Sequence, residues 1–129
     1  MDGVPGVRHL DSSSILKLIK DAPWLELPAG AVALANGIIA TPPAWTEAAG
    51  ALSSADGRLV LVYLRPRKGV TAFFPSTLVL TLKAGRYSIS TWDSTTRARI
   101  GLEIATASPL VCGPPCQGSP LFLVIQRVA

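Results

Sequence analysis

"RYSISTWDSTTRARIG", residues 86–101, decides how the rest of this chain is read. Its first seven residues alternate. Tyr87, Ile89 and Thr91 share one face, and Arg86, Ser88, Ser90 and Trp92 share the other. A period of two belongs to a strand, because successive side chains point to opposite faces of a sheet. Residues 93–96 break the pattern with the residue types that turns use. A short carboxylate at Asp93 can accept from the turn's own N–H groups, and Thr95 and Thr96 add hydroxyls. The run "ARIGLEI" then alternates again and predicts Ile100, Leu102 and Ile104 facing inward. Tryptophan beside aspartate, hydroxyls and arginines has the composition of a sugar site. The spacing makes the same residues a β-hairpin with a polar tip.

The pattern repeats on both sides of the hairpin. Residues 59–64, "LVLVYL", are apolar at every position, as in a central strand buried on both faces. Asp56-Gly57 before them is a turn signal. "STLVLTL" sets Leu78, Leu80 and Leu82 on one face, and "LFLVIQRV" closes the chain as a strand. "VTAFF" reads as a further strand, "GAVALANGIIATPP" as an irregular strand with a loop, and "SPLVCGPPCQGSP" as a loop. "WTEAAGALSS" is ambiguous, since alanine favours helix.

One segment reads as helix. In "DSSSILKLIKDAPW" a cap at Asp11 or one of the three serines opens a helix over 12–20. Leu16 and Ile19 form its apolar face with Ile15 on the flank, and Pro23 stops it. About seven or eight short strands with frequent turns predict an all-β, antiparallel β-sandwich carrying one short N-terminal helix. Residues 1–10 read as an arm and 11–129 as a single domain.

The chain of 129 residues is long enough for one core, and at 49% apolar and 16% charged it is too hydrophobic to be disordered. Eleven Pro and eleven Gly fit the turn-rich reading. No apolar run approaches the ~18 residues of a membrane span. The first residues lack the charged and apolar regions of a signal peptide. Charge is uneven. Residues 1–56 hold three Lys/Arg and six Asp/Glu, a net −3, and residues 57–129 hold nine and two, a net +7. That asymmetry suits head-to-tail contacts as well as a solvated surface.

Catalytic signals are sparse. The single histidine, His9, reads as an exposed terminal residue. Phosphate loops, paired zinc histidines and nucleophile elbows are missing from the sequence. The eight acids are scattered, and most lie beside turn residues. Cys112 and Cys116 in "CGPPC" are too few for a structural zinc site and spaced one residue too far for a redox pair. They can close a local disulfide in an oxidising compartment. "YLRPRKG" has only the generic composition of a nucleic-acid binder.

Of the three tryptophans, Trp24 and Trp45 follow prolines and read as packing residues. Trp92 shares its strand face with Arg86, Ser88 and Ser90, and is the one expected to show its ring to solvent. Trp92, Arg86 and Arg97 are therefore the candidate ligand-binding residues. No catalytic residue, metal or cofactor is expected.

The order Pro23-Trp24, Leu27-Pro28, Asp56-Gly57, Val62-Tyr63-Leu64, Gly85 with Tyr87, Trp92-Asp93 and residues 121–125 resembles a known module. It is the C-terminal β-sandwich that follows the barrel in apiosidase-like glycoside hydrolases, labelled the collagen-binding domain of a collagenase. The resemblance covers residues 11–129. It departs at the hairpin tip, where "DSTTR" stands for Asp-Pro-x-Thr-Gly, and at "CGPPC". It implies a secreted, non-catalytic accessory module that supports a barrel or binds carbohydrate or extracellular matrix, and it implies no partner in nucleic acid or membrane. The alternative is a structural protein that self-associates through sheet edges and opposite charge patches.

Overall fold

The computed structural model describes residues 8–25, 35–36, 41–54, 57–68, 77–107, 109–114 and 118–128. Nine strands and one helix follow in chain order: β1 (Arg8–His9), α1 (Ser12–Lys20), β2 (Ala35–Asn36), β3 (Thr46–Ser53), β4 (Leu59–Pro66), β5 (Leu78–Leu80), β6 (Gly85–Asp93), β7 (Arg99–Ala107), β8 (Leu110–Cys112) and β9 (Leu121–Arg127). Seven strands form one sheet in the order β1-β3-β4-β9-β6-β7, with β2 also on β3, and β5 pairs with β8 in a second. All pairings are antiparallel except β1 on β3. The all-β, sandwich-like fold with one short helix is the architecture that the alternation predicts.

Two apolar layers lie on the two faces of the large sheet. On one face Val60, Val62, Leu64, Tyr87, Ile89, Leu121, Leu123 and Ile125 meet Leu78, Leu80, Leu110 and Cys112 of the small sheet. On the other, Leu59, Leu61, Tyr63, Trp92, Phe122 and Val124 meet Ala22 and Leu25, with Leu18, Ile19 and Trp24 packed beside them. β4 is covered on both sides, which is why it is apolar at nearly every position. The closing strand β9 is central, lying between β4 and β6.

Alanine-rich β3 is a strand because it too is covered on both faces, one of them by α1. Ala48, Gly50 and Leu52 form that face; a Cβ at Gly50 would run into Cδ1 of Ile15 and come within 3.1 Å of Leu10. Small residues here set the depth at which the helix docks. Asp11 caps α1 as expected, accepting from the amide of Ser14 at 2.8 Å, and this bond holds its carboxyl below the ordinary value. The apolar face is rotated from expectation. Ile15 is fully buried while Leu16 is 39% exposed, because Ile15 is the residue that enters the gap over Gly50.

Other expectations are corrected. The 110–112 stretch of the supposed loop is β8, paired to β5. Residues 8–10 of the supposed arm belong to the fold: β1 pairs with Ala48 and Ala49, and the amide of Leu10 donates to Ala49 O at 2.9 Å. His9 is exposed. Asp56, the "VTAFF" strand, most of "GAVALANGIIATPP" and residues 1–7 lie outside the described residues, while Gly57 takes the left-handed φ of 73° that its turn requires. Leu102 and Ile104 do not face inward; both are 58% exposed. Register explains this. They sit beside Ser90 and Ser88, on the sheet face that α1 covers only nearer β3, and the small residues Ala105 and Ala107 take the core side of β7. A register shift between Thr91 and Trp92 turns Ile100 toward the core, where it packs partly buried.

Candidate functional site

An aromatic row crosses the helix-side face. Pairing places Tyr63 of β4 beside Phe122 of β9, and Phe122 beside Trp92 of β6. The chain leaving α1 lays a fourth ring on this row. Its two tight turns, Ala22 N to Ile19 O and Leu25 N to Ala22 O, both 3.0 Å, carry Trp24 over the sheet. The Trp24 ring centre is 6.5 Å from that of Trp92 and 6.0 Å from that of Phe122, the latter edge-on at 72°. Tyr63 and Phe122 are 5.2 Å apart. Such tilted and edge-on arrangements are those favoured by the ring quadrupoles.

Trp92 is therefore not the solvent-facing ring that its strand face suggests. It is 9% exposed, and its buried Nε1 has no acceptor among the described residues. The alternation is right, but Trp24 covers the end of that face. Trp24 is the half-buried ring, and it borders an open cleft of about 210 Å³. Leu18, Asp21, Ala22 and Trp24 form its helix side, Tyr63 and Phe122 its floor, and Ser94 and Arg97 its hairpin side. Burial pushes the Tyr63 hydroxyl above its ordinary value, partly offset by Arg65 beside it, so it stays a protonated donor.

The hairpin tip holds Arg97 in place. Asp93 is buried, and its Oδ1 accepts from the amides of Thr95 and Thr96 at 2.8 and 3.1 Å. Its Oδ2 accepts from Ser119 Oγ at 3.0 Å. Ser94 donates through both N and Oγ to Pro120 O, at 3.0 and 2.8 Å. The amide of Arg97 donates to Asp93 O at 2.8 Å, which leaves Arg97 with a left-handed φ of 61°. Asp93 is thus a turn staple, and the threonines contribute their amides to it. Arg97 is exposed, and among the described residues its guanidinium has no ion-pair partner.

Of the three candidate binding residues, the fold brings Arg97 to the cleft and leaves Trp92 behind its wall. Arg86 lies at the far end of β6, seven residues from Asp93, or roughly 23 Å at ~3.3 Å per residue. Sequence reasoning missed Asp21, Tyr63 and Phe122. The one signal for them was the Pro23-Trp24 step, read only as a pin for the helix.

Cys112 is a buried free thiol; Cys116, the partner expected for it in a local disulfide, lies outside the described residues. Burial first, and the Glu103 carboxylate second, push the thiol up to about 12. It lines a second cavity of about 200 Å³ between the sheets with Ile89, Thr91, Gly101, Glu103 and Pro114. Trp45 is 1% exposed and belongs to the core. Among the described residues no cluster of His, Cys, Asp and Glu could hold a metal ion, and no helix is long and apolar enough to cross a membrane. Comparison with protein-family models, curated proteins and solved structures returns no match for this chain.

Proposed function

We propose that this domain is a non-catalytic binding module that seats one ring of a carbohydrate chain in the cleft beside Trp24. One observation carries the reading: a half-buried indole, backed by Trp92 and Phe122, borders an open cleft with a cation, a carboxylate and a hydroxyl at its edges. A sugar ring is amphipathic in the same way, with an apolar face for the indole and hydroxyls for Arg97 and Asp21. At about 210 Å³ the cleft is smaller than the ~300–1,000 Å³ that encloses a whole small molecule, which suits one unit of a polymer crossing the surface.

The non-catalytic part rests on the acids. Each described cavity has a single carboxylate, Asp21 in one and Glu103 in the other, where glycoside hydrolysis uses two flanking one bond. The resemblance to the sandwich of apiosidase-like hydrolases supplies the setting: a secreted accessory to a polysaccharide-degrading barrel, with a matrix ligand as the other substrate class it suggests.

The test is a titration of tryptophan fluorescence and affinity electrophoresis against a panel of soluble polysaccharides. Trp24→Ala is expected to weaken binding at least tenfold, Arg97→Ala less, and Arg86→Ala not at all. Binding unchanged in Trp24→Ala, or no polysaccharide bound by the wild type, sinks the reading. Hydrolysis of a glycoside by this chain alone overturns the non-catalytic part.

A further inference from the structure

We infer that the edge strand β7 is a self-complementary interface, through which two copies of this chain pair antiparallel about a two-fold axis at Ile104. The inference does not depend on the cleft, since none of the residues lining the cleft lies on β7.

β7 ends the large sheet, and among the described residues no strand lies on its outer side. It is nine residues long, whereas the opposite edge of the sheet is made of the two-residue strands β1 and β2. Long edges present unpaired N–H and C=O groups, and proteins that stay monomeric blunt them with charge, proline or a bulge. β7 carries its irregularity at one end only, where the register shifts between Thr91 and Trp92. From Gly101 to Ala107 the ladder is regular, and the sole charge is Glu103. Leu102 and Ile104, each 58% exposed, lie on one face of that segment with Ser88 and Ser90 beside them.

The occupant follows from register and charge. An antiparallel strand must keep same-face residues opposite each other, so a symmetric pairing centres on one residue. Centring on Glu103 sets two carboxylates face to face, which is unfavourable. A centre at Leu102 runs Ile104 against the partner's irregular Ile100. A centre at Ile104 uses the whole regular segment. It sets Ile104 against Ile104 of the second copy, Leu102 against Thr106, Glu103 against Ala105 and Gly101 against Ala107. Ile104 is also the midpoint of residues 101–107. A second copy of β7 therefore matches this edge in length, apolar face and charge spacing. Pairing seven residues and covering the leucines and isoleucines removes on the order of 1,000 Å², the low end for a specific interface, so the dimer is concentration-dependent.

Sedimentation velocity over a wide concentration range, from micromolar upward, is expected to show a monomer–dimer equilibrium. Ile104→Lys is expected to weaken it by about tenfold or more. Val111→Lys, at an exposed site on β8, serves as the control and leaves it unchanged. Circular dichroism and melting confirm that both variants fold. The axis is tested by oxidation in a Cys116→Ser background. Ile104→Cys places two Cα atoms within disulfide reach across the dyad and cross-links the dimer, whereas Leu102→Cys, four residues out of register with itself or about 13 Å, does not. A wild type that stays monomeric throughout, a dimer indifferent to Ile104→Lys, or cross-linking through Leu102→Cys but not Ile104→Cys overturns the proposal.

Discussion

Arg97 is the one non-glycine among the described residues with a positive φ, at 61°. An L-residue pays roughly 1–2 kcal/mol for that conformation, and glycine does not. The resembled module has glycine at this point of its turn, so the arginine is held where the backbone alone would favour its absence. Strain of this kind is a reason to look for a role. Arg97→Gly is expected to leave stability unchanged or to raise it by up to about 1 kcal/mol, since relief of strain is partly offset by a more disordered unfolded chain. Urea unfolding checks the first part, and weakened polysaccharide binding checks the second. Asp93 behaves in the opposite way. Asp93→Ala strips two amides and a serine hydroxyl of their acceptor and should cost about 2 kcal/mol, measured by the same urea unfolding. Both readings began in one stretch of sequence, and the turn was legible there because Asx chemistry is local. The left-handed residue was not, because Arg97 carries no composition signal for it.

Helix α1 is nine residues long, too short to persist unsupported, so its docking on β3 defines it. Gly50 controls that docking. Gly50→Ala adds a methyl where Ile15 and Leu10 already stand and is expected to destabilise the domain by about 1–3 kcal/mol, through overpacking that forces the buried Ile15 side chain aside with Leu10 close behind it. Thermal unfolding tests this, and Ile15→Val in the same chain should recover part of the loss by removing the Cδ1 methyl. The helix was legible from its cap and length. Its buried face was not: Leu16, Ile15 and Ile19 lie close on the helical wheel, and only the groove over Gly50 selects Ile15. β7 gives the same lesson for strands. Alternation grouped Leu102 with Ile104 correctly but assigned the pair to the wrong side.

At the scale of the whole molecule, the large sheet separates two apolar layers, and the layer under the small sheet holds Cys112. Its thiol, pushed up to about 12, ionises near 8.5 in the unfolded chain. Folding keeps the proton, so this contribution is fully present below about pH 8.5 and is lost as pH rises toward 12. Unfolding free energy should fall across that window by at most about 1.4 kcal/mol per pH unit from this group. Cys112→Ala should flatten the fall that begins near pH 8.5. An unaltered slope in that variant would remove Cys112 as the cause. Thiol reagents at neutral pH should react with Cys112 only on unfolding. The sequence by itself determined the strands, the cap, the turns and which side chains share a face, because each depends on neighbours a few residues away. Only the tertiary structure decided which faces are covered. Trp92 is buried because Trp24 returns over it, and Leu102 is exposed because β7 stands at the sheet's edge. Periodicity fixes the side on which a residue lies, but burial depends on what another part of the chain lays against that side.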